Sequence, residues 1–132
     1  EEGRQRVERH RKLRQEKQFE TLECYTGLAQ ADVPPGAVVL LECLSNLVAN
    51  EVFEPDGARE NTVFAVVSGI CRMAEQAKHL FVVTNEVFSD GISYDRETMR
   101  YLDYLSAVNR QTAAAADRVT EVVYGIPVTV KG

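Results

Sequence analysis

Ala37-Val38-Val39-Leu40-Leu41-Glu42-Cys43 is the stretch that decides the fold. An uninterrupted aliphatic run ends abruptly in an acid, the pattern of a strand covered on both faces that delivers Glu42 to its carboxyl end. Leu44, Leu47, Val48 and Val52 follow at helical spacing, so the pattern predicts a helix over residues 45–53 directly after the strand. The same sequence of events returns at His79-Leu80-Phe81-Val82-Val83, a second apolar run that passes straight into Thr84-Asn85-Glu86. Strands alternating with helices predict an α/β chain with a mainly parallel sheet and helices on both faces. Ligands of such sheets lie beyond the carboxyl ends of the strands, which is where Glu42 and Glu86 would stand.

Between the two strands, Asn61 is placed to cap a helix whose Val63, Val66, Val67, Ile70 and Met73 recur at helical intervals, with Gly69 marking a close approach. Upstream, Phe19-Glu20-Thr21-Leu22-Glu23 alternates apolar with polar residues and predicts a short half-buried strand. A helical turn or loop over residues 24–31 and the breaker Asp32-Val33-Pro34-Pro35-Gly36 lead from it to the first buried strand. Downstream of a loop over residues 87–94, Asp95 caps a long helix to about Ala116, with Met99, Leu102, Leu105, Val108 and Thr112 on its apolar face. Tyr101 and Tyr104 on this helix read as packing or subunit-interface residues. Residues 119–124 predict a third strand, Gly125-Ile126-Pro127 a turn or bend, and residues 128–130 an edge strand, the place to which Pro is confined.

The 132 residues suit a single domain, at 45% hydrophobic and 27% charged. A net charge of −5 argues against nucleic-acid binding, and no apolar run reaches the ~18 residues of a membrane span. Cys24, Cys43 and Cys71 are odd in number, widely spaced and free of any CxxC pattern. They read as reduced, small core residues of a cytoplasmic protein, and no metal site is expected from them. His79, at the amino end of its strand, faces away from the expected ligand edge and reads as structural.

Charge is unevenly distributed. Residues 1–18 hold seven Lys/Arg against four Glu, and the remaining chain holds eight against sixteen acids. Arg6-Val7-Glu8-Arg9-His10-Arg11-Lys12-Leu13-Arg14 predicts an exposed, projecting basic helix, supported by i,i+4 pairs such as Glu8 with Lys12. An imidazole among guanidinium groups suits chemistry on a phosphate anion. The bland reading is a solvated helix on which His10 is incidental, and spacing alone favours it. Glu42 after four aliphatic residues resembles a Walker-B arrangement, an acid able to meet Mg²⁺ or a ribose hydroxyl; the alternative is a solvated strand-end acid. No GxxxxGK[ST] or GxGxxG accompanies it.

Several of these segments, taken in order, resemble one family. Arg6-Val7-Glu8-Arg9-His10-Arg11, Phe19-Glu20-Thr21-Leu22-Glu23, Leu40-Leu41-Glu42-Cys43, Val83-Thr84-Asn85-Glu86-Val87, Val108-Asn109-Arg110-Gln111, Ala114-Ala115-Ala116-Asp117-Arg118-Val119 and Gly125-Ile126-Pro127 occur in sequence. Together they look like the bifunctional adenosylcobinamide kinase/adenosylcobinamide-phosphate guanylyltransferases of cobalamin synthesis. Any one segment is weak; the ordered set is specific and spans the chain.

The resemblance implies a P-loop NTPase-like fold and two reactions on the aminopropanol arm of cobinamide. One phosphorylates its hydroxyl from ATP or GTP with Mg²⁺. The other passes GMP from GTP, through a guanylylated histidine, to adenosylcobinamide phosphate. By position, His10 matches the family's guanylylated histidine, and Arg11, Lys12, Leu13 and Arg14 match the nucleotide-holding segment that follows it. Glu23 matches the acid ending the x-T-x-E strand, and Glu42 the acid of the Walker-B-like strand, both nucleotide contacts in the family. The resemblance further implies a homo-oligomer, a trimer. The family opens with a strand and a Gly-rich phosphate loop that these residues lack, so the chain is expected to be the carboxyl three-quarters of such an enzyme, truncated at the amino end and impaired on its own. A non-catalytic nucleotide- or corrinoid-binding remnant is the alternative.

Overall fold

The computed structural model describes residues 20–85 and 95–132. The described order is a 3-10 turn at Leu28–Gln30, β1 (Val38–Leu41), α1 (Leu44–Phe53), a 3-10 turn at Arg59–Asn61, α2 (Thr62–Gln76), β2 (His79–Val82), α3 (Arg96–Ala115), β3 (Val119–Val123) and β4 (Ile126–Lys131). β1 and β2 pair in parallel, with Val38 opposite His79 and Leu41 opposite Val82. A parallel pair needs a crossover, and α1 and α2 supply it. The backbone closes the pair at both ends. Lys78 N–H donates to Ala37 O at 2.8 Å before β2, and past the strands Val83 N–H donates to Leu41 O and Leu44 N–H to Val83 O.

α1 forms because Leu44, Leu47, Val48 and Val52 fall on one side, and all four are buried. α1 packs on α2 and α3, and α2 packs on α3. Val66, Ile70 and Met73 of α2 and Leu105 and Val108 of α3 complete the core with Leu28. Gly69 allows the Leu28 turn to lie against α2, since a Cβ there would come within 2.9 Å of Leu28 Cβ. α3 begins at Asp95, whose carboxylate accepts Thr98 N–H at 2.7 Å; this bond holds the Asp95 carboxyl below its ordinary value.

The α/β class and the parallel β1–β2 pair agree with the sequence; a mainly parallel sheet is met only in part. Among the described residues there are two two-stranded sheets, the second being the antiparallel hairpin β3–β4. Its turn residues Tyr124 and Gly125 both have positive φ (51° and 78°), the backbone of a type I′ turn. Val39, Leu41, Leu80 and Val82 face the helical core, while Val38, Leu40 and Phe81 on the opposite face are 62%, 47% and 59% exposed. An unbroken aliphatic run does not distinguish one covered face from two, which is why β1 read as covered on both.

Two further expectations need correction. Residues 20–23 belong to neither sheet, and Phe19 lies outside the described residues. A five-residue alternation carries the period of a strand without supplying a partner for its hydrogen bonds. Cys71 is exposed on α2, not a core residue, and Cys24 and Cys43 are half-buried; all three are free thiols. The expected basic helix over residues 1–18 lies outside the described residues.

Leu105 is fully buried where α3 meets the core. Replacing it by Ala is expected to cost about 2–5 kcal/mol through lost transfer energy and the cavity left behind, read as a lowered urea midpoint at constant m-value.

Candidate functional site

A cleft of about 820 Å³ opens along residues 22–27, the foot of α1 and the turn after it. Its walls include Glu23, Cys24, Tyr25, Thr26, Glu51 and Asp56, with Leu22 and Ala65 as apolar contacts. Glu23 and Tyr25 are exposed and joined by a 3.4 Å hydrogen bond from the phenol to the carboxylate. These groups offer a flat aromatic surface beside acceptor oxygens, which suits a planar ligand rich in N–H and O–H donors and disfavours a bare phosphate.

The cleft wall is held from two sides. On one, Glu51 is buried at 2% exposure, its Oε2 accepting Gly27 N–H at 3.1 Å and its Oε1 accepting Ala58 N–H at 3.0 Å. Gly57 sits so close below α1 that a Cβ would fall 2.2 Å from Glu51 O, so only glycine lets the turn reach this position. Thr26 Oγ1 adds a 3.4 Å bond to Asp56 Oδ2. On the other side, Arg72 of α2 donates to Ala31 O at 2.9 Å and to Asp32 Oδ1 at 3.1 Å. Burial raises the Cys24 thiol above its ordinary value, and the nearby Glu51 charge raises it further.

A second polar group stands at the carboxyl ends of β1 and β2. Cys43 Sγ and Ser45 Oγ are 2.8 Å apart, and the Asn85 amide donates to Ser45 Oγ at 3.3 Å. Thr84 Oγ1 donates to Asn109 Oδ1 at 2.7 Å, while the Asn109 amide donates to Asn85 O at 3.3 Å. Tyr101 completes the support, its hydroxyl donating to Ser45 O at 3.2 Å; burial raises its pKa, and the Cys43 charge raises it further. Glu42 is exposed at this edge, directly after β1. The corner expected to carry ligand is thus a cross-linked polar edge spanning β1, β2 and α3.

The sequence-derived site residues are therefore distributed as follows. Glu23 lines the cleft; Glu42 stands at the strand edge and is not among the cleft residues. His10, Arg11, Lys12, Leu13, Arg14 and Glu86 lie outside the described residues. His79 is exposed at the start of β2. Glu51 was not singled out from the sequence, although a signal existed. It occupies the apolar stripe of α1, seven residues after Leu44 and four after Leu47, and an acid on a buried stripe demands partners.

Comparison with known proteins decides what these features belong to. Residues 1–130 match the family of cobinamide kinase / cobinamide phosphate guanyltransferase. The chain belongs to that family. Among cobinamide kinase / guanyltransferase relatives, the bifunctional adenosylcobalamin biosynthesis protein CobU of Escherichia coli (strain K12) is 33% identical over 96% of this chain and 77% of its own length. The protein of the same name from Salmonella typhimurium (strain LT2) is 30% identical over 86% of this chain and 70% of its own length. The family read from the ordered motifs is therefore the family found. No helix among the described residues is long and apolar enough to cross a membrane.

The cleft makes a reactivity prediction. At pH 8, iodoacetamide is expected to label exposed Cys71 before half-buried Cys24. With its thiol pKa raised, Cys24 should keep gaining rate with pH after an ordinary thiol of pKa about 8.5 has levelled off, as peptide mass mapping over a pH series would read.

Proposed function

We propose that the protein transfers GMP from GTP to adenosylcobinamide phosphate through a guanylylated His10, and that with a phosphate loop it also phosphorylates adenosylcobinamide. The observation carrying this reading is the family match over residues 1–130, which includes His10 within its basic run. A neutral His10 imidazole nitrogen attacks the α-phosphorus of GTP, an N–P bond forms, and the bond to pyrophosphate breaks. Arg11, Lys12 and Arg14, just after His10 in the sequence, offset the charge on the phosphates. A phosphate oxygen of adenosylcobinamide phosphate then attacks the same phosphorus, breaking the N–P bond and freeing His10.

Glu23 and Glu42 are assigned to the nucleoside. Carboxylates repel phosphate but accept hydrogen bonds from guanine N–H groups or ribose hydroxyls, and Glu23 lines a cleft with the aromatic Tyr25 in its wall. Among the described residues no group of three or more His, Cys, Asp or Glu side chains is placed to hold a metal. Mg²⁺ would arrive with the triphosphate and keep most of its water, held by the phosphates rather than by a set of protein ligands. A trimer of identical chains belongs to the same proposal, by analogy with the family.

Incubation with α-labelled GTP tests the reading. Wild-type protein should acquire acid-labile, alkali-stable label, and His10→Asn should acquire none. Label retained by His10→Asn would overturn the role of His10. GMP binding without label transfer in the wild type would instead favour a non-catalytic binding protein. Glu23→Gln should weaken GTP binding about tenfold, by the loss of one charge-assisted hydrogen bond, as read by titration calorimetry.

A further inference from the structure

The most deeply buried acid among the described residues takes no part in the chemistry proposed above. Glu51 is 2% exposed, yet it lies on the face of α1 that otherwise carries Leu44, Leu47, Val48 and Val52. Withdrawing a carboxylate from water is strongly unfavourable unless its oxygens are engaged, so a charge in this stripe needs a reason beyond filling space. The structure gives one partner to each oxygen: Gly27 N–H to Oε2 and Ala58 N–H to Oε1. These amides belong to two separate segments. Gly27 closes the strip that starts at Glu23, and Ala58 follows the turn after α1. One buried side chain thus fixes the spacing of two walls of the cleft, and α1 itself is anchored at its other end to the strand edge that follows Glu42.

We infer that Glu51 is a positioning residue of the nucleotide cleft, acting through the Gly27 and Ala58 amides to hold Glu23 where the nucleoside is bound. This rests on the guanylyl-transfer reading. The adjoining tether from Thr26 to Asp56 is longer, at 3.4 Å, and exposed, and Arg72 grips only the far end of the strip at Ala31 and Asp32. Of these three tethers, the one made by Glu51 comes from a buried side chain. Glutamine in its place keeps the size of the side chain but turns an NH₂ group toward one of the two amides, so one bond is lost and two donors face each other.

Steady-state guanylylation by Glu51→Gln is the test, beside Val66→Ala as a comparator. Val66 is fully buried in the helical core and reports what lost stability alone does. The expected result is a KM for GTP raised about tenfold in Glu51→Gln with kcat within about twofold, and both constants within about twofold of wild type in Val66→Ala. Equal KM shifts in the two variants, or none in Glu51→Gln, would overturn the inference. Amide exchange on wild-type protein provides a readout that survives a variant too unstable to assay. GMP should slow exchange at both Gly27 and Ala58, and unchanged exchange at these amides would overturn the inference equally. A wild type that takes no label at all defeats the transferase reading and this inference together. Label in the wild type without the KM difference defeats the inference alone.

Discussion

Burial of α1 is the constraint from which the remaining geometry follows. The helix starts two residues after Glu42, at an amide bonded to Val83 O just past β2. Its apolar side must be covered, and α2 and α3 cover it because Val66, Ile70, Met73, Leu105 and Val108 recur at matching intervals. With those contacts made, the carboxyl edge of β1 and β2 and the foot of α1 have fixed separations. Among the described residues, the strand edge lies at the start of this helix and the cleft at its foot.

That arrangement divides labour between rigid and adjustable parts. At the strand edge, Ser45, Asn85, Thr84, Asn109 and Tyr101 bond one another across α1, β2 and α3, so their donors and acceptors are largely committed. At the cleft, Glu23 and Tyr25 stand exposed on a strip with no helix or strand of its own, secured through a few side-chain bonds to α1, the turn beyond it and α2. A strip of this kind adapts to a ligand more readily than a strand would, because its backbone is not locked into a ladder.

Long periodic segments were legible in the sequence. Both parallel strands, the three helices and the Asp95 cap were found close to their expected positions, since each rests on a run of apolar residues or on a well-defined cap. The family was legible too, through ordered short motifs that no periodicity argument could have interpreted. Less was legible where structure depends on a partner in space. Residues 20–23 have the alternation of a strand and, among the described residues, no strand to pair with, and the exposed face of β1 and β2 carries Val38, Leu40 and Phe81 as if it were covered. The pairing of Thr84 with Asn109 joins segments 25 residues apart and left no local trace. Glu51 could have been noticed, but its partners are backbone amides, which are the same at every position.

The two sheets also differ in when they can form. β3 and β4 are joined by a two-residue turn whose positive φ angles already point the strands together, so their register is set by neighbours in the chain. Hairpins of this kind close in about 1–10 μs. β1 meets β2 only after the intervening crossover has been gathered in, and the loop-closure entropy must be met before any ladder bond repays it. Folding therefore runs on two clocks: a fast local one at the carboxyl end, and a slower one that starts when α1 and α2 collapse together. The edge bearing Glu42 is completed on the slower clock, together with the helical core.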